Sequence, residues 1–129
     1  MSTRVLFRVA AGPRIGFGHL VRSRTLAAAL QMPAVVSLRG TPATARVAAG
    51  LGVRLCGSLA ASLRKLRPAL LVVDDPCRKA AQRAIRTARQ LGIATASVHD
   101  LGLWQRIWRL CAKGDHHDGK QRHAQQHNP

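Results

Sequence analysis

Residues 12–22 read Gly-Pro-Arg-Ile-Gly-Phe-Gly-His-Leu-Val-Arg, and they join an apolar segment to one with helical periodicity. Residues 4–9 predict a short strand, and residues 20–30 carry leucine and alanine at helical spacing. Glycines let a loop approach a ligand closely, and the start of a helix presents unpaired N–H groups and the positive end of its dipole. The segment therefore predicts a strand, loop and helix unit with a site for a phosphate or sugar oxygen above His19.

The spacing of the glycines differs from the two common phosphate-binding loops. A dinucleotide-binding loop has a third glycine where Val21 stands, and a P-loop has Gly-Lys-Ser/Thr, which this segment lacks. One alternative therefore stays open. Gly16 and Gly18 would then only form a tight turn, with His19 as a half-buried residue at the start of the helix.

The rest of the chain alternates predicted strands with predicted helices. Strands are predicted at 5–9, 34–38, 53–55, 70–73 and 93–98, and helices at 20–30, 43–49, 59–66, 79–91 and 103–110. This order favours an α/β fold, a Rossmann-like parallel sheet with helices on both faces. We expect one domain over residues 1–111 and a disordered, His-rich basic tail over 112–129, which has no large apolar residue.

In such a sheet, ligands bind beyond the carboxyl ends of the strands. The polar residues that follow predicted strands there are His19, Arg39, Asp74, Asp75, His99 and Asp100, together with Gly40. The helix dipole opposes a positive charge on His19, which favours a neutral imidazole able to act as a general base. A carboxylate would orient that imidazole, and Asp74, Asp75 and Asp100 all remain candidates.

Two of these assignments have plain structural alternatives. Asp74 and Asp75 either take part in the chemistry or cap the helix that begins near Cys77. Arg22, one turn into the first helix, either contacts phosphate or sugar or is a solvated surface arginine.

Several motifs resemble the opening of a known enzyme family. They are Val5-Leu6-Phe7-Arg8, then Gly16-Phe17-Gly18-His19-Leu20-Val21-Arg22, then Leu70-Leu71-Val72-Val73-Asp74-Asp75, and finally Val98-His99-Asp100-Leu101. Over roughly residues 4–102, the chain resembles the nucleotide-sugar hydrolases of pseudaminic acid biosynthesis, which cleave UDP-2,4-diacetamido-2,4,6-trideoxy-altropyranose. That family is related to the two-domain B-type glycosyltransferases, whose active site lies between two Rossmann-like halves.

The resemblance implies an N-terminal half, either a truncated gene product or one member of a split pair. It implies His19 as the residue that activates the attacking water. Together with the position of the polar residues at the strand ends, this gives His19 and Asp75 as the predicted catalytic residues. The predicted substrate-binding residues are Gly16, Gly18, Arg22, Asp74 and Asp100. In that family, the second half of the protein supplies most of the contacts to the nucleotide. The chain departs from the family at residues 9–11, which lack an acidic residue, and at Pro76, which replaces an aromatic one.

The net charge is extreme, with 21 Lys and Arg against 5 Asp and Glu, a balance of +16. Such a field attracts polyanions, so a basic nucleic-acid-associated α/β domain is one alternative function. Against it, the arginines are scattered along several helices, and the chain has no Tyr, 2 Phe and 2 Trp for base stacking. We therefore do not expect nucleic acid as a partner.

The remaining composition narrows the class of protein. The three cysteines, Cys56, Cys77 and Cys111, form no Cys-x-x-Cys pair, so neither a disulfide framework nor a zinc site is expected. His123 and His127 lie in the His-rich tail, and we attribute them to the biased composition of that tail rather than to a metal site. No run of the sequence has the length of a membrane span, and no secretory signal begins it, so we expect a cytoplasmic protein.

The sequence thus predicts a nucleotide-sugar hydrolase or glycosyltransferase-like N-terminal half. It would act on a UDP-amino sugar, with His19 activating water or an acceptor for attack at the anomeric carbon. The expected partners are the UDP-sugar and a second domain or subunit, and no cofactor, metal or membrane span is expected. A non-catalytic fragment or subunit that binds a partner half is the other alternative.

Overall fold

The computed structural model describes residues 4–32 and 34–98. Its strands are β1 (Val5–Ala10), β2 (Ala34–Arg39), β3 (Leu70–Asp74) and β4 (Ala94–Ser97). Its helices are α1 (Gly18–Leu30), α2 (Pro42–Gly50), α3 (Leu59–Leu66) and α4 (Arg78–Gln90). The alternation of strands and helices is that of an α/β fold.

The strands form one parallel, four-stranded sheet in the order β2-β1-β3-β4. The chain passes from β1 outward to β2 and then crosses back to β3 on the other side of β1. The direction of winding therefore reverses between β1 and β3, where Val9 lies opposite Asp74. Such a reversal point leaves a crevice at the carboxyl ends of the strands, and the loop after β1 opens onto it.

Helices cover both faces of the sheet. On one face, Val5, Phe7 and Val9 pack with Leu20 of α1 and Ala48 of α2. On the other, Leu6, Leu71 and Val73 pack with Leu63 of α3 and with the alanines of α4, which are Ala81, Ala84 and Ala88. Successive residues of a strand point to opposite faces, so these continuous apolar runs bury side chains on both sides, as a doubly covered parallel sheet requires. The Rossmann-like α/β fold predicted from the sequence is confirmed.

Most predicted elements are present, with ends that move by one or two residues. The exception is 53–55, where the prediction of a strand is wrong. Leu55 forms only an isolated bridge with Val36, held by backbone hydrogen bonds from Val36 to Arg54 and from Cys56 to Val36. The predicted helix 103–110, the domain end at 111 and the tail 112–129 lie outside the described residues. None of the helices within residues 4–32 and 34–98 is long and apolar enough to cross a membrane.

Candidate functional site at the carboxyl edge of the sheet

The loop after β1 is closed on itself by its backbone. Gly12 and Gly16 exchange two hydrogen bonds, with N···O distances of 3.3 Å and 2.6 Å. Gly16 has φ +76°, in the left-handed region that favours glycine, so a side chain at this position would be strained. Gly18 begins α1 and needs no such conformation. The two glycines that the sequence singled out therefore differ: one shapes the loop, and the other only starts the helix.

Helix α1 follows this loop and carries two of the candidate site residues. Its N-cap is Phe17, and no side chain caps it. Leu20 is fully buried against the sheet and fixes the rotation of the helix. His19 and Arg22 are three residues apart, so they share one side of the helix, and both reach Asp74 at the end of β3.

The His19 ring contacts Asp74 directly. Nδ1 lies 2.7 Å from Oδ1, and Asp74 is 1% exposed. A carboxylate only accepts hydrogen bonds, so Nδ1 must carry the proton of this contact. In the neutral ring, the lone pair then belongs to Nε2. The imidazole side chain is 15% exposed, so part of the ring reaches solvent. This is the arrangement by which a carboxylate fixes the tautomer of a histidine base.

Arg22 donates hydrogen bonds to the same carboxylate from two nitrogens. Its Nε donates to Oδ2 at 2.9 Å, and its Nη2 donates to Oδ1 at 2.8 Å. Nη2 also lies 3.1 Å from Nδ1 of His19, since both donors converge on Oδ1. Arg22 is therefore an organised part of the site rather than a purely solvated arginine. Forked pairing of this kind holds both partners in one geometry.

Asp75 has different partners from its neighbour. Its Oδ2 accepts from Nε of Arg39 at 2.5 Å, and its Oδ1 accepts from Nη2 of Arg39 at 2.7 Å. Oδ1 also accepts from the backbone N–H of Cys77 at 2.8 Å, just before α4. The hydrogen bonds that Arg39 donates to Asp75 raise the pKa of its guanidinium. Asp75 thus ties β2 to the start of α4 and does not contact His19, and a catalytic role for it stays a prediction.

A third arginine, Arg8, lies inside the sheet and was not singled out as a functional residue. Its Nη1 donates to Oγ of Ser37 at 2.9 Å, and Ser37 in turn donates to the carbonyl of Gly57 at 3.3 Å. Burial lowers the pKa of the Arg8 guanidinium, while the nearby Asp75 carboxylate opposes that effect. The signal in the sequence was a charged residue within an otherwise apolar predicted strand, because such a residue needs a polar partner.

A cleft of about 300 Å³ lies beside this cluster. The loop after β1 forms one wall through residues 11–15, and residues 39–41 after β2 form the other. Arg14 and Arg39 both line it; the Arg39 guanidinium is paired with the Asp75 carboxylate, so the net positive charge comes from Arg14. Its volume is at the lower end of the range for small-molecule pockets. His19 and Asp74 do not line it, although they lie at the same edge of the sheet.

The structure thus brings together His19, Arg22 and Asp74, and it places Asp75 with Arg39 nearby. The residues His99 and Asp100 lie outside the described part of the chain, so Asp100 as a substrate-binding residue stays a prediction. Within the described ranges, no three His, Cys, Asp or Glu side chains are grouped to hold a metal ion. Cys56 and Cys77 are free thiols, whereas Cys111 falls among the residues that are not described.

Comparison of the chain with protein-family models, with curated proteins and with solved structures gives no match.

Proposed function

We propose that this chain is the histidine-bearing half of a nucleotide-sugar hydrolase or glycosyltransferase-like protein that acts on a UDP-amino sugar. The observation that carries the proposal is the 2.7 Å contact between Nδ1 of His19 and Oδ1 of Asp74. It lies where the winding of the sheet reverses, which is the usual ligand position in doubly wound sheets. The resemblance of the glycine loop and of the Asp74-Asp75 strand to the hydrolase family supports the same assignment.

In the proposed reaction, His19 is the general base. Nε2 takes a proton from water, or from an acceptor hydroxyl, as its oxygen attacks the anomeric carbon. The bond between that carbon and the UDP oxygen breaks, and UDP leaves with the electron pair. Asp74 stabilises the imidazolium that forms and holds the ring in position, as a carboxylate does for other histidine bases. Arg22 holds Asp74 in turn, so its binding role would be exerted partly through that carboxylate.

Three further predicted residues, Asp75, Gly16 and Gly18, have supporting roles in this proposal. Asp75 would be a positioning residue, because it holds Arg39 on the wall of the cleft. Arg14 offers positive charge to an anionic part of the substrate in that cleft, which Arg39 also lines. Gly16 shapes the loop, and the first turn of α1 at Gly18 offers N–H groups to a sugar or phosphate oxygen. A second, nucleotide-binding half would complete the site, as the resemblance implies.

The test is UDP release from a panel of UDP-N-acetylamino sugars, measured with the chain alone and with a nucleotide-binding half supplied. We expect release in the mixture, and a loss of about 100-fold or more in His19→Ala and in Asp74→Asn. Arg24→Gln is the control, since Arg24 is exposed on the same helix and outside the site. Circular dichroism checks that each variant is folded. Unchanged release by His19→Ala would refute the role of His19 as the base.

A further inference from the structure

Helix α4 presents an unusually basic outer face. Its buried side consists of Ala80, Ala81, Ala84 and Ala88. Its exposed side carries five cationic residues, Arg78, Lys79, Arg83, Arg86 and Arg89. With 3.6 residues per turn, these five lie on one continuous side of the helix, so the alternation of alanine and arginine in the sequence separates into an apolar face and a charged one.

The neighbouring helix extends this surface. Helix α3 packs beside α4 on the same side of the sheet, and its exposed Arg64 and Lys65 add two further charges. We call these two residues and the five of α4 the α3–α4 basic face. In the described ranges the acidic residues are Asp74 and Asp75, and both are buried in the ion pairs of the carboxyl edge. No described carboxylate therefore neutralises the basic face.

The chemistry of this face suits phosphate. Guanidinium groups match phosphate oxygens in a forked geometry, and five of the seven residues are arginines. Among the residues that the structure describes, the exposed large apolar side chains are Val21, Leu30, Val47 and Leu51, and none of them belongs to α3 or α4. A helix that inserts into a membrane surface needs apolar side chains to bury there. The face therefore offers charge without an apolar anchor.

The dimensions favour a nucleic-acid duplex. From Arg78 to Arg89, the helix rises roughly 16 Å, which is about half of one turn of duplex DNA. A duplex carries one negative charge for about every 1.7 Å of its axis, so several phosphates lie within reach of this length. The scarcity of aromatic residues, with no Tyr, 2 Phe and 2 Trp in the chain, disfavours base stacking on a single strand but does not affect contacts to a duplex backbone.

We propose that the α3–α4 basic face binds the sugar–phosphate backbone of a nucleic-acid duplex without reading its bases. This second activity is independent of the His19 site, because α1 packs on the opposite face of the sheet from α3 and α4. The sequence scatters these arginines over residues 64–89, and the fold gathers them on one surface.

The experiment is fluorescence anisotropy of the full chain with a labelled 20-base-pair duplex at 50 to 200 mM NaCl. If about five phosphates are contacted, affinity should fall by a few hundred-fold over that range. The triple variant Arg83→Gln, Arg86→Gln and Arg89→Gln should weaken binding about 10-fold or more. It should also reduce the slope of log affinity against log salt by about 2.7.

A matched control carries the same change of net charge elsewhere. Arg24→Gln, Arg46→Gln and Arg54→Gln remove three exposed arginines that lie outside α3 and α4, and this variant should lose less than about twofold in affinity. A second variant, Arg78→Gln with Lys79→Gln, relieves positive charge at the start of α4. It should therefore be at least as stable as the parent while still binding more weakly.

Four results would overturn the proposal: no binding to the duplex, equal losses in the two triple variants, tighter binding to a single strand, or tighter binding to phosphatidylserine vesicles. The variant His19→Ala should bind the duplex like the parent. The outcome is thus separate from any result on UDP release.

Discussion

His19 and Asp74 are 55 residues apart in the chain, and their side chains meet at 2.7 Å. Asp74 is the last residue of β3 and lies opposite Val9 of β1. The contact therefore connects the start of α1 to the end of β3 across the point where the sheet reverses its winding. A change at either residue is expected to act on the ring of His19 and on the packing of α1.

The first prediction concerns the tautomer of His19. Because Asp74 accepts the Nδ1 proton, the neutral ring should exist mainly as the Nδ1–H tautomer. Long-range ¹H–¹⁵N correlation spectra, recorded at a pH where the ring is neutral, distinguish the two nitrogens. In Asp74→Asn the fraction of this tautomer should fall, since the amide has a single acceptor oxygen and Arg22 competes for it. Asp75→Asn is the control and should leave the spectrum of His19 unchanged, whereas an Nε2–H tautomer in the parent protein would contradict the geometry.

The second prediction concerns stability. Asp74→Ala removes the acceptor of both His19 and Arg22 from a buried position. Removing one partner of a buried ion pair is strongly destabilising, and here Arg22 is partly solvated, so we expect a loss of about 2 to 4 kcal/mol. The free energy of unfolding in urea measures it. Arg24→Ala on the exposed side of α1 should cause little change, and a comparable loss there would show that α1 itself is sensitive to substitution.

The third prediction separates the two glycines of the motif. Gly16→Ala places a side chain at φ +76° and should cost about 1 to 2 kcal/mol. Gly18→Ala meets nothing within 4 Å of the added carbon and should not reduce stability. Urea unfolding of the two variants gives the comparison. Equal losses would mean that the loop does not require the left-handed conformation at Gly16.

The fourth prediction concerns the close approach of the loops that follow β1 and β2. A Cβ at Gly40 would lie 2.8 Å from the carbonyl oxygen of Ala11 and 3.2 Å from Cγ2 of Thr44. Gly40→Ala must therefore push apart the two walls of the cleft, at a cost of about 1 to 3 kcal/mol. Gly50→Ala, at the end of α2, has open space and should be tolerated. A thermal unfolding series that ranks the two variants in the opposite order would contradict this packing.

The fold was predictable where the periodicity was strong. The apolar run of β1 and the buried alanines of α4 specify their elements locally. At 53–55 the same reasoning failed, because a short apolar segment can touch the sheet edge at one residue without extending into a strand. Only Leu55 bridges to Val36. Pairing of that kind depends on where the chain lies after α2 ends, and the local sequence does not determine that position.

The site was predictable as a meeting of polar residues at one edge, but the pairing within it was not. Residues 70–73 are apolar at every position, so alternation gives no indication of which face each residue joins. Whether Asp74 or Asp75 reaches His19 depends on which of the two points to the face of the sheet that α1 covers. In the structure Val72 packs on the side of α1 and Val73 on the side of α4. Asp74 is two residues after Val72 and points to the same face of the sheet, and this places it beside His19.

The paired hydrogen bonds between Gly12 and Gly16 bear on the entropy of ligand binding. They keep residues 12–16 in one conformation without the help of a ligand. A loop that is ordered in advance loses little conformational freedom when a molecule enters the cleft beside it, so more of the contact energy is retained as affinity. The same hydrogen bonds occupy the N–H groups of Gly12 and Gly16. Those two N–H groups therefore cannot donate to a ligand, whereas the side chain of Arg14 on the same wall can be changed without altering the loop that carries it.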